Sequence, residues 1–267
     1  MRALCEAIHM PEEATKRVLE ADRSIPHDLD VTALTREEDW AEGRKALKQQ
    51  LGEDPLGFRE LACMLRCALA ARETFGKLGF SESVYYDTMA CFSRFVGEHM
   101  ESYGTYGFDR GFWTVRQVSC KIFRIGALEY ELIRIEGKPV ISLHIPTDVV
   151  FHTGELRSSY MEARTLLNRA FPEYAGAPMY CHSWLLSPTL RELLPETSNI
   201  LRFQRSFHIT PLENGSTGYL QWVFKNPNLP LEDYPEDTSL QRKLKAFLRA
   251  GKTFTDAKGY LVEAPFL

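Results

Sequence analysis

The runs Lys138-Pro-Val-Ile-Ser-Leu-His-Ile-Pro-Thr-Asp148 and Met179-Tyr-Cys-His-Ser-Trp-Leu-Leu186 decide how this chain folds. Both are short, apolar and rich in residues that favour strands, and a proline lies beside each. Between them, Glu155 to Phe171 sets Leu156, Tyr160, Ala163, Leu166, Leu167 and Ala170 at helical spacing. The sequence therefore predicts a strand, a crossover helix and a second, parallel strand, and the interval from Pro146 to Pro178 is long enough for that connection. Each strand carries one histidine, His144 and His182, near the end where such a unit opens onto a ligand.

Upstream of this unit, Leu128, Tyr130, Leu132 and Ile135 alternate with Glu129, Glu131 and Arg134, and Glu136-Gly137-Lys138-Pro139 turns that strand back as a hairpin. Downstream, Ser187-Pro188 opens a helix through Leu194, and Ser198 to Gln204 forms another helical turn. Phe207 to Leu212 and Tyr219 to Phe224 are expected as two strands around Asn214-Gly215-Ser-Thr-Gly218. Leu240 to Leu248 is a helix, and Tyr260 to Ala264 adds an edge strand.

The first part of the chain contains no convincing strand. Pro11 starts one helix; Thr35, with Glu38 three places on, caps a second that runs to Gly52. Asp54-Pro55 opens a longer one, and Ser81 caps the next. Asp109 to Phe123 is open between a helix and a helix passing into a strand. The expected architecture is α/β (α+β): a helical bundle over residues 1–115 and a mixed sheet with a central βαβ unit over residues 116–267.

Composition narrows the partners. A formal net charge of −4 over 267 residues gives no footprint for nucleic acid or an anionic membrane, and 44% hydrophobic residues are ample for a core. Neither a signal peptide nor a membrane span is legible, which predicts a cytoplasmic protein with small-molecule partners. Six cysteines sit in apolar segments without a CxxC pair and read as reduced core residues. Cys63 and Cys67 lie one helical turn apart, but no second close pair of Cys or His completes four ligands, so no metal is expected.

The run Cys181-His-Ser-Trp-Leu-Leu186, then Pro188, Leu190, Leu193-Leu194-Pro195, Ser198-Asn199-Ile200, Phe203-Gln204 and Phe207, resembles bacterial acyltransferase-domain proteins that join a helical N-terminal domain to a GNAT-like C-terminal domain. Gly107-Phe-Asp109, Trp113, Arg116-Gln117, Phe123-Arg124, Gly126, Leu128-Glu129 and the stretch Gly79 to Val84 with Asp87 carry the same resemblance. It implies an acyl-CoA co-substrate, an amine acceptor and transfer of the acyl group from the thioester to the amine. One part of the GNAT pattern is missing. The usual Gln/Arg-x-x-Gly-x-Gly/Ala phosphate turn is replaced by Ile145-Pro-Thr-Asp-Val-Val-Phe-His-Thr-Gly-Glu155, with one glycine and two acids.

In a fold of this kind the two parallel strands splay, leaving main-chain groups for the thioester near Ile145, Thr147 and Ser183, while Thr153 and Gly154 at the start of the crossover helix can receive a phosphate. An imidazole titrates near neutral pH and suits the base that takes the amine's proton. His144 is the first choice and His182 the second; the competing reading of either ring is a buried polar group fixed by a carbonyl. Trp184 is a wall of the substrate pocket or a core anchor, and Ser198 and Asn199 lie near the departing sulfur or cap a helix. A Cys181/His182 nucleophile pair fails because neighbours on a strand face opposite ways. The rival to an enzyme is a degenerate GNAT-like module that only binds a metabolite or protein, which calorimetry with acyl-CoAs distinguishes.

Overall fold

A computed structural model of the chain describes residues 1–262, apart from the side chains at 213 and 214. By its internal contacts the chain divides into Met1–Ile125 and Gly126–Leu267.

The first unit is helical: α1 (Arg2–Ala7), α2 (Glu12–Ser24), α3 (Trp40–Leu51), α4 (Phe58–Lys77), α5 (Glu82–Met89), α6 (Cys91–Tyr103) and α7 (Gly111–Val118), followed by the short strand β1 (Ile122–Ile125). The central α4 buries Leu61, Ala62, Met64, Leu65, Ala68, Ala71 and Phe75, an apolar stripe at threes and fours. Phe75 meets Phe80, Tyr85 and Phe123 at centroid distances of 5.8, 5.4 and 5.3 Å, so the aromatic residues of this region form core. The open segment after Asp109 is resolved as a helix passing into a strand.

Two helix starts differ from expectation. Thr35 does not cap α3; it ends a 3-10 turn, donating to the Thr32 carbonyl at 2.8 Å, and a second such turn precedes the helix, which begins at Trp40. Asp54 caps α4 from further upstream than a standard cap, its Oδ2 accepting the Arg59 and Glu60 N–H groups at 3.0 and 2.9 Å. The left-handed residue Gly57 (φ +71°) makes that reach possible. Ser81 caps α5 as read, accepting from Val84 N–H.

The second unit contains β2 (Leu128–Ile135), β3 (Lys138–His144), α8 (Thr153–Ala170), β4 (Met179–Ser183), a 3-10 turn Trp184–Leu186, α9 (Leu190–Leu193), α10 (Asn199–Gln204), β5 (Phe207–Gly215), α11 (Tyr219–Phe224), α12 (Ser239–Arg249) and β6 (Thr255–Leu261). Its strands lie in the order β2-β3-β4-β6-β5. The β2–β3 hairpin closes on Glu136 and Gly137, both at positive φ, as a two-residue turn between twisted strands requires. The pair β3–β4 is parallel and the pairs β4–β6 and β5–β6 are antiparallel. The face bearing Tyr130 and Cys181 is buried, with the Tyr130 hydroxyl 2.7 Å from Ser159 Oγ on α8.

Two of the expected strands are corrected. Tyr219 to Phe224 is a helix, because burial falls on Tyr219, Val223 and Phe224 while Trp222 is exposed, a pattern only a helix satisfies. Aromatic and β-branched residues favour strands locally, but packing against Leu244 and Phe254 decides. The strand near the C-terminus starts earlier than Tyr260 and is interior rather than an edge, lying between β4 and β5; Glu263 and Ala264 fall outside the described residues. Among the described residues no helix is long and apolar enough to cross a membrane.

Candidate active site

The site follows from where the parallel ladder stops. Ile141 pairs with Met179, Ser142 with Tyr180 and Leu143 with Cys181, and there the β3–β4 register ends. His144 and His182 are the next residue on each strand. On its far side β4 stays paired, His182 with Lys258 and Ser183 with Ala257 of β6. The β3–β4 ladder therefore stops one residue before the end of β3 and two before the end of β4, while β4 stays paired with β6 to its tip.

Strand alternation sorts the residues at these strand ends. Cys181 faces the core at 0% exposure, and burial pushes its thiol up to about 12, so it stays protonated and unreactive at neutral pH. His182 turns the other way, with 51% of its side chain exposed. It lines a cleft of about 670 Å³ with Thr210, Pro211 and Leu212 of β5, Ser216 and Thr217 of the following loop, and Asp256 and Lys258 of β6. Asp256 Oδ2 lies 4.0 Å from His182 Nε2 and accepts the Ser216 hydroxyl at 2.8 Å. His144 has a closer partner, its Nε2 standing 2.8 Å from Glu131 Oε2 on β2, a diagonal neighbour on the same sheet face.

The remaining candidates are distributed around these strand ends. Ile145 and Thr147 follow β3 directly, in a connection that ends at His152. Thr153 and Gly154 form the first turn of α8, where no side chain caps the free N–H groups and Glu155 places an acid. Phe151, just before α8, packs edge-on against Phe203 of α10 at 5.3 Å. Ser198 Oγ accepts the Ile200 N–H at 3.3 Å, so its hydroxyl caps α10, and Asn199 accepts from Arg202 at 3.4 Å. Ser183 likewise caps, accepting the Leu185 N–H at 3.1 Å.

That cap ends β4 three residues earlier than the apolar run suggests. Trp184 consequently sits in a 3-10 turn, packed against the cluster of Leu190, Leu193, Tyr219 and Phe254, and does not share a strand face with His182. Gln204 secures the turn, its amide donating at 2.9 Å to both the Leu185 and Ser187 carbonyls. Gln204→Leu removes both bonds, leaving the Ser187 carbonyl only the Leu190 N–H at 3.2 Å, and is expected to destabilise the protein by about 1–3 kcal/mol, read as the midpoint of urea unfolding. An unchanged midpoint would mean the turn holds without it.

Glu131, Asp256, Ser216, Thr210 and Lys258 were not singled out from the sequence. Glu131 was legible only as a polar strand position, and Asp256 lies in a segment that carries no turn or strand signal strong enough to place it.

A helical unit joined to a mixed sheet, whose one parallel ladder stops short of its strand ends beside a cleft, defines the class of GNAT-type transferases. The sequence pattern described as an N-acyltransferase N-terminal domain matches residues 1–120, and that of a GNAT-like C-terminal domain matches residues 122–261. The chain belongs to this family of two-domain N-acyltransferases, and it is an acyltransferase enzyme. Among solved structures it is similar to an acyltransferase in complex with decanoyl-CoA and teicoplanin, with a TM-score of 0.80 and 25% identity over 97% of this chain and 86% of that one. An acyltransferase in complex with decanoyl-CoA matches at a TM-score of 0.78 and 25% identity over the same shares. A mutant acyltransferase holding octanoyl-CoA shares the fold, with a TM-score of 0.81 at 24% identity, 97% of this chain and 86% of that one. No curated protein matches the chain.

Proposed function

We propose that this chain transfers an acyl group from acyl-CoA to the amine of a small-molecule acceptor, with His182 as the general base. The end of the β3–β4 ladder beside the cleft that His182 lines is the observation that carries this reading. Main chain beyond the β3–β4 ladder, at Ile145 and Ser183, offers N–H and C=O groups to the amides of the donor's arm. An N–H from this stretch, aimed at the thioester oxygen, stabilises the negative charge that develops there. His182 takes a proton from the acceptor's nitrogen, the nitrogen–carbon bond forms, the carbon–sulfur bond breaks, and the sulfur leaves as the coenzyme thiolate, which is then protonated.

On this reading the donor is held chiefly through its arm and its acyl chain. Thr153 and Gly154 present N–H groups to a phosphate, but Glu155 in the same turn opposes an anion. A medium-length acyl group, as found on the relatives, adds apolar contact where phosphate contact is weak. The test is thiol release by the purified chain from acetyl-, octanoyl- and decanoyl-CoA with a panel of primary amines, the products weighed by mass spectrometry. Amide product with at least about tenfold higher kcat/KM for the longer donors is expected, as several added methylenes contribute. Hydrolysis without amide would defeat the reading.

His144 is the second reading for the base, favoured by its 2.8 Å contact with Glu131. A carboxylate so placed orients an imidazole for proton transfer.

A further inference from the structure

We propose that Asp256 is a positioning residue for His182, a carboxylate that gains a facing positive charge when the imidazole takes up the acceptor's proton. The proposal rests on the reading of the cleft as the place of acyl transfer to an amine.

Asp256 is held unevenly. Its Oδ2 accepts the Ser216 hydroxyl at 2.8 Å, and Ser216 is itself fixed, its Oγ accepting the Gly218 N–H at 3.2 Å and its N–H donating to the Phe254 carbonyl at 2.9 Å. Oδ1 is buried and makes no hydrogen bond. A buried carboxylate oxygen without a donor is unfavourable, and such groups concentrate where a protein needs the charge. Of the charged groups around it, Lys258 lies next along the same face of β6, lines the cleft and forms no ion pair among the described residues. Thr210, which lines the same cleft and pairs with Lys258, is neutral. Within the cleft the cation whose charge appears only during the reaction is the imidazolium of His182, whose Nε2 lies 4.0 Å from Oδ2.

At that separation neutral His182 and Asp256 attract only weakly. When one ring nitrogen takes the amine's proton, the other carries an N–H toward Asp256 and the pair becomes a charge pair in a partly desolvated cleft. The contact is then stronger in the transition state than with substrates bound, so it raises kcat and leaves KM almost unchanged. The Ser216 hydroxyl keeps the carboxylate aimed at the ring.

The test uses the full chain with decanoyl-CoA and two acceptors: a primary alkylamine, which is an ammonium ion at neutral pH, and hydroxylamine, which is largely uncharged and needs no base to reach its nucleophilic form. Asp256→Asn is expected to lower kcat for the alkylamine by about 100-fold, with KM for decanoyl-CoA within about twofold of the original and most of the rate recovered with hydroxylamine. Asp256→Glu should recover part of the alkylamine rate. Ser216→Ala, which keeps the carboxylate, should lose about tenfold in the same pattern. Equal losses with both acceptors, a change in KM alone, or an unaltered kcat would each overturn the role. If the unmodified protein binds decanoyl-CoA in calorimetry yet releases no thiol with either acceptor, the acyl-transfer reading of the cleft falls, and the role of Asp256 with it.

Discussion

Replacing His182 with alanine is expected to slow acyl transfer by about 10²–10⁴-fold while acyl-CoA still binds. The size follows from the reaction. An amine held as its ammonium ion has no lone pair to offer, and a positioned base supplies the free form at the moment of attack. The residue is unsupported by packing: its ring is half exposed while its neighbour Cys181 carries the core contact, so alanine at this position leaves the fold alone. Stopped assays of amide product, with acyl-CoA affinity measured separately, separate the chemical loss from a binding loss. His144→Ala is the control. With His182 as base, it should lose less than about tenfold, because its ring pairs with Glu131 of β2 and does not line the cleft. The reverse ranking would move the base to the Glu131–His144 pair.

The second large effect concerns the helical unit. Gly57→Ala should destabilise it by at least about 3 kcal/mol, more than most single substitutions. Gly57 adopts φ +71°, and a Cβ there would stand 1.8 Å from the Phe108 carbonyl oxygen and 2.9 Å from its carbon, both main-chain atoms. The neighbourhood cannot yield easily: Phe108 donates its N–H to the Leu56 carbonyl at 2.8 Å, and the Gly57 carbonyl accepts the Leu61 N–H at 2.9 Å. Gly52→Ala isolates the conformational part, since Gly52 has φ +67° with nothing within 4 Å of a Cβ, and should lose only about 1–2 kcal/mol. Thermal unfolding of the two variants gives the comparison; similar midpoints would mean that the loop around Phe108 shifts freely.

Much of this architecture was legible in the residues, for reasons that can be named. The prolines at 146 and 178 bracket a crossover, and the apolar runs beside them put His144 and His182 at strand ends, so the parallel pair followed from spacing alone. Alternation was enough to place Cys181 and His182 on opposite faces. The limit came where strand-favouring residues serve a helix, as in Tyr219 to Phe224, and where a small cap overrides an apolar run, as Ser183 does by ending β4 before Trp184. The partner acids were hidden for another reason. Glu131 and Asp256 become neighbours of the histidines only through strand register and order, and β6 enters the sheet between β4 and β5, out of chain order.

The acid in the first turn of α8 has a kinetic consequence. With the medium-chain donor proposed above, a carrier gripped by its arm and its tail, and scarcely by its phosphates, would lose its best handhold in the very step that gives the tail away. The spent coenzyme should then depart quickly and compete poorly with fresh donor, and turnover should respond little to ionic strength.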